Sequence, residues 1–181
     1  MKPLAPDALG RPDREAYAQR EKLPVVVVLD NIRSGLNVGS VFRTCDAFTV
    51  REVVLCGYTA RPPHPEILKT ALGATDSVAW RSFADTLTAL EALVTEGYTC
   101  VPVEQTTASR SLDEIELPSL MPLALIFGNE LRGVDPAVLA RCAFSIEIPQ
   151  GGTKHSLNGA TAAGIVLWEC YRRERRRRSS E

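Results

Sequence analysis

The chain has 181 residues, of which 45% are hydrophobic and 24% charged, and its formal net charge is −1. This length fits one domain with a sizeable core, and the charge gives none of the global basicity that marks many nucleic-acid-binding proteins. Five scattered cysteines without a CxxC pair and two distant histidines offer neither a disulfide framework nor a metal site. No apolar run approaches the roughly 18 residues of a membrane span, so a cytoplasmic protein without metal or membrane partner is expected.

The first 22 residues are polar and contain three prolines, which predicts a mobile start and a short surface helix rather than a separate domain. The β-branched run Leu23–Leu29 then predicts a parallel strand that is buried on both faces. A polar loop follows it. The apolar spacing over residues 38–48 predicts a helix, and residues 52–56 predict the next strand.

The remainder of the chain continues the alternation of strands and helices. The pattern predicts helices at 66–72 and 83–96, a candidate strand at 77–80, strands at 98–103, 123–127 and 144–148, and a long helix that opens near Ser156. Such alternation is typical of a Rossmann-like parallel α/β sheet. The predicted organisation is a short extension (1–22), one domain (23–171) and a basic tail (172–181).

Three segments at strand ends, 30–43, 128–135 and 149–158, carry polar residues that are capable of chemistry. The carboxyl ends of parallel strands are where α/β proteins bind ligands. None of the three contains a dinucleotide fingerprint, a P-loop or a serine nucleophile elbow. The residues by themselves therefore predict a polar ligand crevice and do not name a reaction.

Three motifs in these segments resemble those of the SpoU/TrmH ribose 2′-O-methyltransferases, which belong to the SPOUT superfamily. They are N-x-G-S-x-x-R at 37–43, I-F-G-N-E-x-x-G at 126–133 and I-P-x-x-G-x-x-x-S-L-N at 148–158. They occur in the family's order, and the resemblance runs from about residue 23 to 171.

The resemblance implies a parallel α/β sheet whose C-terminal part is tucked through a loop to form a deep trefoil knot, a rare exception among folds. It also implies a homodimer in which each active site borrows residues from the partner chain. The cofactor is expected to be S-adenosylmethionine, held in the knotted loops at positions matching Glu104, Gly128, Ile148 and Leu157. The reaction implied is methyl transfer to a ribose 2′-hydroxyl of a structured RNA.

The catalytic positions implied by the motifs are Arg43, Asn37, Glu130, Ser156 and Asn158. Arg43 matches the family's catalytic arginine, and because a guanidinium stays protonated, we expect it to hold a phosphate or stabilise the developing alkoxide rather than act as a free base. Glu130 is expected to hydrogen-bond to Asn37 and orient it. The alternatives are a solvated surface arginine for Arg43, a helix N-cap for Ser156, and turn-forming side chains for Asn37 and Asn158.

One position departs from the family pattern. Where relatives commonly continue S-L-N-V-S or S-L-N-V-A, this chain has Gly159 and Ala160 after Asn158. A glycine in the first helical turn costs up to about 1 kcal/mol relative to alanine. It also removes a side chain near the expected cofactor site, so the shape of that site is expected to differ.

The residues expected to contact RNA are basic. They are Arg33, Lys154, Arg172, Arg173, Arg175 and Arg176. Arginine clusters neutralise phosphates and supply much of the non-specific affinity for RNA. The alternative for the tail is a solvated helix end that the helix dipole favours.

Two other functions stay open at this point. One is a catalytically silent RNA-binding member of the same fold, and the other is an unrelated nucleotide-binding α/β protein such as an oxidoreductase. Within the leading hypothesis, some family members carry an additional N-terminal RNA-binding domain that 22 residues cannot supply. That favours tRNA over rRNA as the substrate.

Overall fold

The computed structural model describes residues 1–180, and residue 181, the last of the predicted tail, lies outside them. The strands are β1 (Leu23–Asp30), β2 (Val50–Cys56), β3 (Ala79–Phe83), β4 (Thr99–Pro102), β5 (Ser109–Ser111), β6 (Leu123–Phe127) and β7 (Ser145–Glu147). The α-helices are α1 (Arg14–Gln19), α2 (Gly35–Ala47), α3 (Pro65–Ala71), α4 (Thr86–Thr95), α5 (Pro136–Leu139) and α6 (Gly159–Arg178). Short 3-10 helices span Pro6–Leu9, Ala74–Asp76 and Leu117–Leu120.

Five strands form one parallel sheet in the order β3-β2-β1-β6-β4. The central strand β1 is buried at every position except Pro24, because its continuous β-branched run suits a strand covered on both faces. One face packs against α2, α3 and α6 through residues such as Phe42 and Leu167, and the other packs against α4 and α5 through Leu93 and Val138. The predicted parallel α/β fold is confirmed.

The two short strands β5 and β7 lie outside this sheet. Strand β7 pairs in parallel with β5, and an isolated bridge joins Ile146 to Val103, just beyond the end of β4. The backbone N–H of Glu104 donates to the carbonyl of Ile146 at 3.0 Å. The chain after β7 is therefore held against the carboxyl end of the main sheet.

Two predicted boundaries are wrong in the segment before β4. Phe83 is the last residue of β3, where it pairs with Cys56, and it does not begin the following helix. That helix begins at Thr86, because the Asp85 carboxylate accepts the N–H of Thr88 at 2.8 Å and caps it. The candidate strand at 77–80 correspondingly lies later in the chain, as β3.

Both ends of the predicted domain continue into the flanking segments. Helix α1 packs on the sheet domain through Tyr17, which is buried and whose hydroxyl donates to the carbonyl of Asp46 at 3.2 Å. Helix α6 runs without interruption past position 172, where the basic tail was predicted to begin. Arg172 and Arg173 lie within this helix, and the side chains of both bond to Glu169, one turn earlier.

The described residues contain no helix that combines the length and apolar character needed to cross a bilayer. The five cysteines are all free thiols. Burial raises the pKa of Cys56 and Cys170 to about 12, so these thiols stay protonated at neutral pH.

Candidate functional site

The three motif segments meet at the carboxyl edge of the sheet. Strands β1 and β6 are neighbours, so the loops that follow Asp30 and Phe127 leave the sheet side by side. The third segment follows β7, which the bridge between Ile146 and Val103 holds against the same edge. The topology thus brings together stretches that lie about a hundred residues apart in the chain.

A chain of hydrogen bonds joins one side chain from each motif. The Asn37 amide nitrogen donates to Glu130 Oε1 at 3.0 Å, as the resemblance predicted. The Asn37 amide oxygen accepts from Asn158 Nδ2 at 3.1 Å. Since one amide has only one oxygen and one NH₂, Asn37 uses both ends to tie the second motif to the third.

Glu130 also fixes the backbone of the first loop. Its carboxylate accepts the N–H groups of Arg33 and Ser34 at 2.9 and 3.0 Å, in addition to the Asn37 amide. Partial burial by itself raises the pKa of the Glu130 carboxyl, but these donors outweigh it and the pKa lies below its ordinary value. Glu130 is therefore an ionised acceptor, and it is not a proton donor near neutral pH.

The N-cap of helix α6 is Asn158, so the predicted helix start near Ser156 is wrong. The side-chain Oδ1 of Asn158 accepts the N–H groups of Ala160 and Thr161 at 3.0 and 3.2 Å. Ser156 lies before the cap, exposed in the loop, which excludes the capping role considered for it. Asn158 performs two tasks, since its oxygen caps the helix and its NH₂ group holds Asn37.

A cleft of about 480 Å³ opens at this edge of the sheet. Its lining includes all four residues that were predicted to bind the cofactor: Glu104, Gly128, Ile148 and Leu157. Glu130, Ser156 and Gly159 also line it. Two of the five predicted catalytic residues, Glu130 and Ser156, therefore line this cleft. Asn37 bonds directly to Glu130, and Asn158 is linked to the cleft through Asn37.

Close backbone packing shapes the floor of the cleft. A Cβ on Gly128 would lie 2.1 Å from the backbone nitrogen of Val134, so only glycine fits this position of the second motif. Gly133 has a φ of 70°, and a Cβ there would lie 2.3 Å from Glu104 Oε2. That oxygen accepts the N–H of Val134 at 3.1 Å. Glu104 thus secures the loop that faces it across the cleft.

Arg43 lies outside this cleft. It is exposed on α2 and lines a separate groove of about 490 Å³ between α2 and α3. Lys69 lines the same groove, and the Arg43 guanidinium forms no hydrogen bond or ion pair with another residue of the described chain. Within one chain, therefore, the structure does not bring the predicted catalytic arginine to the predicted cofactor residues.

Gly39 of the first motif explains how this groove forms. A Cβ on Gly39 would lie 2.1 Å from Thr70 Oγ1 and 2.3 Å from the carbonyl oxygen of Ile67. Helices α2 and α3 approach this closely only because the residue is glycine. Lys69, next to Thr70, is a residue that the motif patterns did not single out.

The cations that were predicted to bind RNA differ in their surroundings. Arg33, Lys154, Arg175 and Arg176 are exposed, whereas the Arg173 side chain retains only 15% exposure. The Arg173 guanidinium donates to the carbonyls of Leu112, Asp113 and Ile115 as well as to Glu169. These bonds anchor α6 to the segment before β6, so we reassign Arg173 from RNA contact to the fold. Arg172 is held by Glu169 and is partly exposed.

Comparison with known proteins shows the family to which this chain belongs. The model of the SpoU rRNA methylase family matches residues 24–168, which include the sheet apart from Leu23, the three motifs and the first half of α6. The chain belongs to the SpoU rRNA methylase family. The recognition made from the three motifs is confirmed, and the family is one of RNA methyltransferases that use S-adenosylmethionine.

Individual members give the extent of the likeness. A candidate TrmH family tRNA/rRNA methyltransferase from Staphylococcus saprophyticus is 30% identical over 154 residues, 85% of this chain and 61% of the relative. An AdoMet-bound rRNA methyltransferase from Sinorhizobium meliloti is 31% identical with a TM-score of 0.75, covering 88% of this chain and 59% of that one. A solved protein described for 2-OH methylation of C/U34 on tRNA is 28% identical with a TM-score of 0.74, covering 83% and 96%.

The chain thus spans about three fifths of the length of the first two of these SpoU relatives. The shared part is the sheet domain that carries the three motifs. The architecture of that domain is the same in the S. meliloti and tRNA-methylating structures, as TM-scores of 0.75 and 0.74 indicate.

Proposed function

We propose that this protein transfers a methyl group from S-adenosylmethionine to a ribose 2′-hydroxyl of RNA, with tRNA as the preferred substrate. The observation that carries the proposal is the cleft itself. One residue from each motif is linked through Asn37, and all four expected cofactor positions line the same cavity. Membership of a methyltransferase family gives that cavity a matching chemistry.

The residues of the cleft fit S-adenosylmethionine in size and chemistry. About 480 Å³ lies within the usual range for small-ligand pockets. Ile148 and Leu157 offer apolar surface for an adenosine, and the tight approach at Gly128 leaves backbone groups as the polar contacts. Glu104 and Glu147 also line the cleft, and carboxylates are suitable neighbours for a positively charged ligand. The cofactor supplies an activated methyl group on a sulfonium.

The chain's own residues then have to position the ribose and stabilise the oxygen that accepts the methyl group. Arg43 stays protonated, so it holds an RNA phosphate and stabilises the developing alkoxide. Asn37, fixed at both ends of its amide, orients the neighbouring loop. We assign Ser156 a contact with the substrate near the methyl group, because it is exposed beside the cap and lines the cleft.

Arg43 completes an active site only when a second subunit is present, and we therefore assign the protein a homodimer. The support is a face on α2 and α6 that carries exposed apolar side chains. Trp168 is 48% exposed and lies with Phe48 and Tyr171 in an aromatic cluster whose ring centroids are 5.5 to 6.2 Å apart. Phe48 also lines the groove of Arg43. Pairing of two subunits on this face would therefore bring Arg43 toward the carboxyl edge of the partner's sheet.

We assign the C-terminal half the deep trefoil knot that the family resemblance implies. Strand β7 lies outside the five-stranded sheet yet bridges its carboxyl edge through Ile146 and Val103. This return of the chain to the sheet before α6 supports a path in which the cleft is made by knotted loops.

The exposed cations Arg33, Lys154, Arg175 and Arg176 supply contacts to RNA phosphates. Transfer RNA is favoured because the likeness to the protein that methylates C/U34 on tRNA extends over 96% of that protein. Ribosomal RNA is the second candidate, which the S. meliloti relative supports. A silent RNA-binding member remains the alternative that measurable turnover excludes.

The test uses methyl-labelled S-adenosylmethionine with total tRNA and, separately, rRNA, followed by mass identification of the modified nucleoside. We expect label in a 2′-O-methyl nucleoside of the tRNA pool, and a fall of at least about 100-fold with Arg43→Ala. Arg51→Ala is the matched control and should be fully active. It removes an exposed arginine from the amino end of β2, away from the carboxyl edge that carries the cleft. Label on a base, or no label with either pool, would contradict the proposal.

A further inference from the structure

Three loops at the carboxyl edge, residues 31–34, 57–61 and 129–133, form a surface that we call the strand-end rim. They follow β1, β2 and β6, which are adjacent in the sheet. The large side chains that the rim exposes are Arg33, Tyr58, Arg61, Leu131 and Arg132. Apart from Arg33, none of these belongs to the catalytic, cofactor or RNA-contact sets above.

Tyr58 is the aromatic residue of this rim, and it is both open and fixed. The residue is 63% exposed, yet its hydroxyl accepts from Asn129 Nδ2 at 2.8 Å. Its backbone N–H donates to Asn31 Oδ1 at 3.2 Å, directly after Gly57 with a φ of 61°. An exposed tyrosine anchored at both ends keeps an aromatic face available without the entropy cost of ordering it.

The anchor also places Tyr58 beside the cleft. Asn129 lines the cleft, and its Nδ2 bonds both to Tyr58 and, at 2.8 Å, to the carbonyl of Asn31. Its Oδ1 accepts the N–H groups of Leu131 and Arg132 at 3.0 and 3.1 Å. The tip of the Tyr58 ring therefore lies one hydrogen bond away from the wall of the proposed active site.

The charges that the rim exposes are mostly positive, since three arginines stand against the one carboxylate of Glu130. The guanidinium groups of Arg33, Arg61 and Arg132 form no hydrogen bond or ion pair with any other residue among 1–180. The carboxylate of Glu130 is occupied by three donors, and Asp30 is 1% exposed and bonded to Thr86. By contrast, Arg81 at the edge strand β3 is paired with Glu52 and Glu96.

An exposed aromatic face among unpaired arginines is the surface chemistry that recognises single-stranded nucleic acid. Bases stack on aromatic rings, and guanidinium groups contact the flanking phosphates. A base within a helix has no free face for such a ring. The ligand this rim suits is an RNA nucleotide that is unpaired.

We propose that Tyr58 is the stacking platform for an unpaired base next to the methylated nucleotide, with Arg33, Arg61 and Arg132 on the phosphates around it. The assignment rests on the proposed function, since it takes the adjacent cleft as the methyl-transfer site. It adds that the substrate presents its target in a loop or other single-stranded segment.

Two substitutions of Tyr58 separate stacking from the hydroxyl's structural bond. Tyr58→Phe keeps the ring and loses the bond to Asn129, whereas Tyr58→Leu loses both. We expect the KM for RNA to change less than about 3-fold in Tyr58→Phe and to rise about 5- to 150-fold in Tyr58→Leu, the range that one stacking contact of 1–3 kcal/mol gives. The KM for S-adenosylmethionine should stay unchanged in both.

Equal losses in the two variants would overturn the proposal, because the hydroxyl's bond to Asn129 would then be the whole role of Tyr58. An unchanged KM for RNA in Tyr58→Leu would overturn it as well. Tyr58→Leu should also reduce the difference in activity between a loop substrate and the same sequence held in a duplex.

Binding without turnover distinguishes this proposal from the proposed function. A fluorescent single-stranded RNA is titrated at several salt concentrations against wild type, Tyr58→Leu, Arg61→Gln and the matched control Arg51→Gln. We expect Arg61→Gln to lower the log–log salt slope by about 0.7 and Arg51→Gln to leave it unchanged. If Tyr58→Leu weakens RNA binding but the wild-type protein transfers no methyl group, the result would support RNA binding at the strand-end rim and refute the proposed enzymatic function. If the protein transfers methyl groups and every variant binds RNA as the wild type does, the result would refute only the proposed RNA contact at the strand-end rim.

Discussion

Asn37 connects two loops through the two ends of one side-chain amide. Its NH₂ group donates to Glu130 and its carbonyl oxygen accepts from Asn158, at 3.0 and 3.1 Å. Neither partner can be exchanged without leaving a donor or an acceptor unmatched. The position therefore suits a side-chain amide, which can donate and accept at the same time.

We predict that Asn37→Ala lowers the rate of methyl transfer by about 10- to 100-fold, because the third motif loses its link to the second and the substrate loops shift. The Kd for S-adenosylmethionine, measured by titration calorimetry, should change little, since Asn37 does not line the cleft. Thr95→Ala is the control, since the Thr95 hydroxyl bonds only to the backbone of α4. Wild-type turnover by Asn37→Ala would remove the hydrogen-bonded chain from the mechanism.

At the residue scale the motifs predicted positions that line one cleft in the structure, but not how each side chain is bonded there. Both Ser156 and Asn158 are good N-cap residues, and the sequence pattern could not choose between them. The choice depends on where the loop after β7 joins α6, which is set by tertiary contacts. Asn129 was visible inside the second motif, yet its role depends on Tyr58 and Asn31, which are distant in sequence.

Among the helices, α2 and α3 make a contact whose closeness depends on one glycine. The backbone of Gly39 lies against Ile67 and Thr70, with no room for a Cβ. This contact forms the groove in which Arg43 and Lys69 lie.

Gly39→Ala should lower the free energy of unfolding by about 1–3 kcal/mol, because the two helices must separate to admit the methyl group. Gly164→Ala on α6 has open space around its Cβ and should raise stability by about 0.5–1 kcal/mol. Urea denaturation of both variants measures the difference. A Gly39→Ala variant as stable as Gly164→Ala would contradict the close contact.

Helix α6 carries a buried carboxylate near its end. Glu174 is 4% exposed and accepts from Arg177 and Arg178, each at 2.8 Å. The hydrogen bonds from Arg177, opposed by burial and reinforced by Arg178, lower the pKa of Glu174 to about 2. A carboxyl with a lowered pKa stabilises the fold above its unfolded pKa of about 4.3, and the contribution is lost as the pH falls toward 2.

Glu174→Gln should therefore lower the free energy of unfolding at pH 7 by roughly 1–3 kcal/mol. The difference in the free energy of unfolding between variant and wild type should narrow as the pH falls from 4 toward 2. Urea denaturation at pH 7, 4 and 3 measures this difference. Glu91→Gln is the matched control, since Glu91 is exposed and pairs with exposed Arg141 at 3.4 Å. It should change stability by less than about 0.5 kcal/mol. A difference in unfolding free energy that stays constant with pH would contradict a stabilising role for the ion pairs of Glu174 with Arg177 and Arg178.

The elements were predictable where one local signal dominates. The β-branched run of β1 and the spacing of α2 suffice, because burial on both faces and an amphipathic face leave a clear pattern. The start of α4 was not predictable, since Phe83 suits a helix as well as the edge strand in which it lies. The arginine-rich end of α6 has a pattern that fits solvent, RNA or the fold, and only contact with residues 112–115 assigns Arg173 to the fold.

At the scale of the whole molecule, the cofactor cleft and the groove of Arg43 lie apart in one chain. The resemblance carried by the motifs implied that each active site borrows residues from a partner chain, but motif order does not say which face of α2 Arg43 occupies. The two-fold dimer that we propose on the aromatic face of α2 and α6 would resolve it, since each chain would then give its Arg43 to the other. That sharing is the central claim about the active site.

The most direct test mixes two inactive variants. Arg43→Ala keeps an intact cleft, whereas Gly159→Trp fills a cleft position whose Cβ has open space around it. Each homodimer should be inactive, and co-refolding the two at equal amounts should restore about a quarter of the wild-type sites, because half of the dimers are mixed and each holds one intact pair. Methyl transfer to tRNA is measured while native mass spectrometry counts the mixed dimers. Recovery near that level would establish a shared site, and no recovery despite mixed dimers would place Arg43 with the cleft of its own chain or outside the reaction.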